Sequence, residues 1–377
     1  MGGQRTISGT QFVLMLVVSY LTAGLFTFPQ RIVREAGAAG VYAILVTTLV
    51  ALAGALLIVW VGSHFPGKTA VEWGDAIVPL RIHRVLAAGG AVFHLVMVPM
   101  QMRTFMEMLK ETFFQVTPVS VLVSALVLVA AFGAYQGVEA IGRIAVFALP
   151  VMLLTVTIAY VFTFTSIEAY RLVPDFHTLP DFGRACYFAS LLYEGAAVAM
   201  ILQSKLEHPR RAVGYVFVSF AISTFLFLMI YLTTLGSFGQ EGVSVLAWPA
   251  PQLLLSVRLP GWFTERLGLF VEIVWAGLMV LYAAVHLWAT TLLMVQVLGL
   301  RQRPAYNWIL PGLAGLYFLI AVAPGSVEEV EYVFGLLPLG SIYLNLGLPL
   351  IWLTVGLLRG RFRSTKGGRN GGQLSRV

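Results

Sequence analysis

Charge is what this 377-residue sequence has least of. Asp, Glu, Lys and Arg make up 11% of it, against about 25% in an average soluble domain. Hydrophobic residues make up 59%, and a soluble fold of this length cannot hide that much apolar surface. A water-soluble domain is therefore excluded. Cysteine is almost missing: the one residue, Cys186, cannot form an internal disulfide and reads as a small apolar filler in a helix. The six histidines have neither the spacing nor the carboxylate company of a metal site, so no metal and no cofactor is expected. No dinucleotide fingerprint, nucleophile elbow or catalytic constellation is present, so the chain does not read as an enzyme. The stretch from Gly62 to Thr69, GSHFPGKT, matches a phosphate-binding loop letter for letter. It begins at the end of an apolar run, without the strand or acidic partner that phosphate binding needs, so the match is accidental. A small-residue cleavage site is also lacking after the first apolar run, and no cleaved signal peptide is expected.

What is present is a series of apolar runs, each about as long as one helix needs to cross roughly 30 Å of hydrocarbon. They predict helices over 10–36, 39–63, 84–112, 118–136, 141–165, 182–205, 211–236, 267–298, 305–323 and 332–358. The expected class is an all-α integral membrane protein with about ten spans. The net charge of +7 is distributed by loop. Arg5, Lys68, Arg81, Arg84, Arg143, Lys205, Arg210, Arg211, Arg301 and Arg303 fall in alternate connections with the tail. Glu168, Asp175, Glu241, Glu328, Glu329 and Glu331 fall in the others. Basic residues near span ends mark the cytoplasmic side, which puts both termini inside and makes the charge a topology signal with no nucleic-acid partner. The organisation expected is a short cytoplasmic N-terminus (1–9), a membrane domain (10–358, halves 10–165 and 182–358) and a basic, Gly-rich, disordered tail (359–377) near the anionic leaflet. Between 237 and 266 a long outer loop is expected, with a short helix lying on the surface as a lid or a passive connector.

Two spans carry interruptions. The first places Ser19, Thr22, Ala23 and Gly24 at mid-membrane depth before Pro29, and the sixth places Glu194 and Gly195 at a similar depth. Paired interruptions in matching spans of two five-helix halves point to a transporter-like site at the midplane, and an odd number of spans per half makes the repeats inverted. Broken helices expose amides on one side and carbonyls on the other, which suits the two charges of an amino acid. Small residues also serve close helix packing, and that reading stands beside the functional one. Glu194 is the sharpest residue, because a carboxylate at mid-membrane depth is costly unless paired, hydrated or protonated. It can bind an ammonium group, carry a proton or lock helices together. Arg103 and Glu107, four apart, are placed to pair, and Glu107 is a second candidate for the cavity. His94 and His286 read as hydrogen-bonded packing residues, and Glu272 as a residue facing the outer interface.

The segments ISGTQF, AGLFTFP, HFPGKTAVEW, the Thr117–Pro118 pair, GVEAIGRI and ERLGLFVEIVW, in this order, resemble the B subunit of spore germinant receptors. These form the endospore germination permease branch of the amino acid–polyamine–organocation superfamily. The resemblance implies a ten-helix, five-plus-five inverted-repeat fold with broken first and sixth helices, in the inner membrane of a dormant spore. It implies recognition of a small nutrient, often an amino acid, beside an A subunit and a lipoprotein C subunit. It also implies a ligand site at Thr22, Ala23 and Gly24 and at Tyr193, Glu194, Gly195 and Ala196. Three functions stay open at this point. They are a ligand-sensing receptor subunit, a proton- or sodium-coupled amino acid transporter, and a structural membrane scaffold.

Overall fold

The computed structural model describes residues 6–21, 24–175, 178–256, 267–300 and 302–362, and among them every regular element is helical. Nine helical runs there are long and apolar enough to cross a bilayer, preceded by the shorter apolar helix α1, Gly9–Tyr20. The first of the nine, Phe26–Ser63, has 38 residues, about 57 Å if straight, which is too long for one span. It turns at Gly37, whose φ of +49° suits glycine, and so divides into α2 (Gly24–Ala36) and α3 (Gly40–Ser63). α1 and α2 together form one interrupted span, and the count among the described residues is ten. The protein is an integral membrane protein.

The remaining elements follow in order: α4 (Ala70–Ile77), α5 (Leu80–Thr112), α6 (Val119–Gln136), α7 (Val138–Thr163) and α8 (Leu179–Ala189). Then come a 3₁₀ segment (Ser190–Val198), α9 (Ala199–Leu202), α10 (Ala212–Val245), α11 (Pro249–Ser256), α12 (Leu267–Val297) and α13 (Gln302–Val322). The chain ends with α14 (Val327–Ile342), a π-helical turn (Tyr343–Gly347) and α15 (Leu348–Leu358). Large apolar side chains such as Leu49, Leu128, Phe147 and Leu154 are exposed on the outside of the bundle. That is the arrangement a hydrocarbon solvent selects, since every backbone polar group must then be satisfied inside the helices.

Local sequence sets the helix starts. Ser8 and Gln11 form a capping box at α1, Thr69 and Glu72 form one at α4, and Thr178 and Asp181 form one at α8. The FPGKT stretch is therefore a turn followed by a cap: Gly67 has φ +75°, and the Thr69 hydroxyl also donates to Gln296 Oε1 at 2.8 Å. Ile7 is tied to the end of the sixth span, donating to the Lys205 carbonyl at 2.8 Å and accepting from Glu207 at 3.1 Å.

Two expectations are corrected. The long outer loop over 237–266 is largely helical: α10 continues past a bend at Gly239 (φ +70°) to Val245, and α11 follows. α11 is packed into the bundle by buried Ala250, Leu253 and Leu254 rather than laid on its surface. Residues 257–266, the rest of that loop, lie outside the described residues. Glu272, expected at the outer interface, is only 2% exposed, because α11 covers the start of α12 so closely that a Cβ on Gly268 would lie 2.6 Å from Leu254 backbone. Of the basic tail, Arg359 donates to the Ile77 carbonyl at 3.1 Å and Phe362 packs 5.2 Å from the Trp60 ring. Residues 363–377 lie outside the described residues.

Candidate functional site

The sixth span loses its α-helical form in the middle. After α8 the chain tightens into the 3₁₀ segment, and Tyr193 leaves helical geometry altogether at φ −116°, ψ 24°. Its freed carbonyl accepts from Asn345 Nδ2 at 2.9 Å, a donor on the π turn of the last span. Ser341, one turn earlier, donates to the Ser190 carbonyl at 2.7 Å. A π turn in a membrane helix is a common functional irregularity, and here it supplies the partners that a broken helix needs. The Tyr193 hydroxyl shares hydrogen bonds with Thr48 (2.8 Å) and Thr224 (2.6 Å), and its ring stacks on Phe220 at 4.7 Å.

Glu194 follows, 4% exposed. Its Oε1 accepts from the Tyr282 hydroxyl at 2.6 Å, and Gln101 approaches the same carboxyl group. Its Oε2 is buried without a protein partner. Gly195 sits against the other interruption: a Cβ there would fall 2.4 Å from both Cβ and carbonyl oxygen of Ser19. The absence of a side chain is what lets the two breaks touch. Ser19 itself is helical, donating to the Met15 carbonyl at 2.9 Å, and α1 ends at Tyr20. Thr22 and Ala23 lie outside the described residues, as does the side chain of Ala196. Gly24 opens α2, whose first amides have no partner within the helix. Glu107 is bound by Arg103 at 2.7 Å, and Arg103 is held further by the Ala321 carbonyl at 3.2 Å.

Small cavities border the two ends of the broken segment. One, about 10 Å³, is lined by Thr27, Arg31, Gln101 and Leu192 among others. The other, about 40 Å³, is lined by His94, Ala197, Val198 and Thr290, and extends to His83 and Trp352. The first has room for about one water and the second for a few, far below the roughly 300 Å³ of an ordinary ligand pocket. At the first cavity Arg31 pairs with Glu331 at 2.8 Å and lies 4.2 Å over the Phe334 ring.

Of the two histidines, only His286 differs from expectation. His94 Nδ1 does bond the Gly90 carbonyl at 2.9 Å, but neither nitrogen of buried His286 has a protein partner. The His286 ring lies 4.3 Å from Tyr282 and 5.4 Å from His94. Sequence reasoning missed Gln101, Tyr282 and Asn345. Each was visible as a polar side chain inside an apolar span, and Tyr282 stands four residues before His286.

The family model for spore germination proteins matches residues 6–330 of this chain. Spore germination protein YndE of Bacillus subtilis (strain 168) is 20% identical over 361 residues, 94% of this chain and 97% of that protein. Spore germination protein B2 of the same organism is 21% identical over 339 residues, 87% of this chain and 89% of that protein. Among solved structures, MhsT in complex with L-phenylalanine matches with a TM-score of 0.66 at 13% identity, over 94% of this chain and 99% of that one. A Na⁺-coupled sialic acid symporter in a substrate-bound outward-open state matches with a TM-score of 0.57 at 8% identity, over 91% of this chain and 80% of that one. At these identities the likeness carries the fold, which is that of an inverted-repeat transporter.

Proposed function

We propose, since this chain belongs to the spore germination protein family, that it is the membrane subunit of a germinant receptor and recognises a small nutrient between its two broken helices. The observation that carries this reading is the Glu194 carboxylate: it is buried at a helix break, anchored through one oxygen and unpartnered at the other. An unpartnered buried carboxylate oxygen is costly, and an ammonium group would satisfy it. The amides opening α2 follow the first break and suit a carboxylate. An amino acid carries both groups, and a transporter of this fold binds one, L-phenylalanine. The residues assigned to the site are Thr22, Ala23 and Gly24 on the first break and Tyr193, Glu194, Gly195 and Ala196 on the sixth. Glu107 is assigned to an ion pair outside it. In this reading both termini are cytoplasmic, the membrane is the spore inner membrane, and an A subunit and a lipoprotein C subunit complete the receptor.

The test is thermal stabilisation of the purified protein by each of the standard L-amino acids, with Glu194→Gln as the matched variant. At least one should stabilise the wild type and lose its effect in Glu194→Gln. A panel with no effect on well-folded wild type would count against an amino acid ligand.

A further inference from the structure

A row of buried proton-carrying side chains runs from Glu194 toward the face of the bundle where Ile7 and Arg359 lie. Tyr282 donates to Glu194, His286 lies one turn further along α12 beside the Tyr282 ring, and His94 faces His286 from α5. On α5, His83, His94 and Gln101 stand at i, i+11 and i+18, within about 20° of one another around the helix. Their stripe faces α12, and its lower part, with Ala87 and Gly90, lines the 40 Å³ cavity. His83, at the far end of that cavity, bonds Asp75 Oδ1 through Nδ1 at 2.9 Å, and Asp75 also holds Arg84 at 2.6 Å.

The bonding fixes what each ring presents. A carbonyl only accepts, so His94 Nδ1 carries hydrogen and, in the neutral ring, its Nε2 presents a lone pair; the carboxylate selects the same tautomer for His83. Both Nε2 atoms are buried without a protein partner, as are both nitrogens of His286. Burying so many polar atoms unsatisfied is unfavourable unless water or a transferable proton serves them. Tyr317 faces the same cluster from α13 and donates to Thr290 Oγ1 at 3.1 Å. The ion pairs Asp75–Arg84 and Glu107–Arg103 stand at the two ends of the stripe.

We propose that this row is a proton path, linking Glu194 at the helix break to water at the face of Ile7 and Arg359, so that ligand occupancy and protonation of Glu194 are coupled. A proton on cavity water binds His94 Nε2 and leaves from that nitrogen to His286. His286 then protonates the Tyr282 oxygen as Tyr282 gives its own proton to Glu194 Oε1. One proton enters, is held on Glu194 and leaves it to water in the smaller cavity beyond Gln101, so that it crosses the bundle, and only N–H and O–H bonds change. The coupling rests on the ligand-site reading above; the path itself does not.

The test is proton uptake into sealed vesicles of phosphatidylethanolamine and phosphatidylglycerol that enclose a pH-sensitive dye. A potassium diffusion potential set with valinomycin, negative inside, drives the uptake. Wild-type vesicles should acidify faster than empty ones, and His286→Gln, His94→Gln and Glu194→Gln should each slow uptake, by on the order of 10²-fold for a lost acid–base group. Glutamine keeps hydrogen bonding without titrating. His64→Gln, at an exposed histidine bonded to the Trp60 carbonyl, should behave as wild type. Wild-type vesicles no faster than empty ones, or His94 and His286 variants that unfold normally and conduct fully, would overturn the path. The amino acid panel run on the same preparations separates the two readings. Stabilisation without conduction removes the path and keeps the ligand site, whereas conduction without stabilisation does the reverse.

Discussion

Asn345 on the last span donates a 2.9 Å hydrogen bond to the carbonyl of Tyr193 in the broken sixth span. Its other amide hydrogen reaches Ser341 Oγ at 3.2 Å, and Ser341 in turn serves the Ser190 carbonyl. The break is thus stabilised from outside its own helix, by a residue 152 positions away. Asn345→Leu should leave the Tyr193 carbonyl buried and unsatisfied, at about 1–3 kcal/mol. Thermal unfolding in detergent reads this directly, and a variant as stable as wild type would mean that the carbonyl has another partner.

Close backbone approach makes a second prediction. A Cβ on Gly54 would lie 1.6 Å from the Asn345 carbonyl oxygen, and one on Gly195 would lie 2.4 Å from Ser19. Neither contact is with the end of a flexible side chain, so Gly54→Ala and Gly195→Ala must push whole spans apart. Overpacking of this kind costs roughly 1–3 kcal/mol. Gly183→Ala, in α8 with open space around it, should be neutral or gain about 0.5–1 kcal/mol from helix propensity. Unfolding temperatures and purified yields should be lower for Gly54→Ala and Gly195→Ala than for Gly183→Ala.

The spans were legible because a bilayer demands a fixed apolar length and forbids unpaired backbone, so ten runs could be read without knowing any contact. The two breaks were legible for the same reason: Gly24, Glu194 and Gly195 are poor material for an unbroken membrane helix. What surrounds them was not. Tyr282 and Asn345 reach Glu194 and Tyr193 from spans 88 and 152 residues away, and no local pattern encodes such a meeting. The burial of Glu272 was hidden likewise, since it depends on α11 folding over α12. The Arg103–Glu107 pair was predicted because both partners lie on one helix face, four residues apart.

Asp75 stands on α4, outside the spans, and supplies a pH dependence. Burial raises its pKa, but hydrogen bonds and charge from Arg84 and His83 outweigh that and hold it below the usual carboxylate value. A depressed folded pKa contributes stability above the unfolded pKa of about 3.9, and that contribution is lost as pH falls through the folded value. Asp75→Asn should therefore unfold more easily than wild type at pH 7, and the gap should close below about pH 4. Paired unfolding curves across that range test it. A gap that widened in acid would reverse the sign and exclude the ion pair as its cause.

Tyr282→Phe isolates what the hydroxyl does for Glu194. The substitution keeps the ring against His286, at 4.3 Å between centroids, and deletes only the donor to Glu194 Oε1. If that bond aims the carboxylate so that Oε2 faces the ligand, its loss should weaken apparent affinity by about 1.5–3 kcal/mol, the scale of hydrogen bonds to charged groups, or roughly 10- to 150-fold. Glu194→Gln removes the charge itself and should cost at least as much, with abundance close to normal. The double variant decides between the two accounts of Tyr282. If the tyrosine acts through the carboxylate, adding Tyr282→Phe to Glu194→Gln should weaken binding little further, because the thing it oriented is gone. If the hydroxyl instead supports the bundle independently, the two losses should add and the unfolding temperature should fall with them. Concentration dependence of germination at matched expression, beside binding of the stabilising amino acid to purified protein, gives both numbers. Additive losses in affinity would take Tyr282 out of the ligand site.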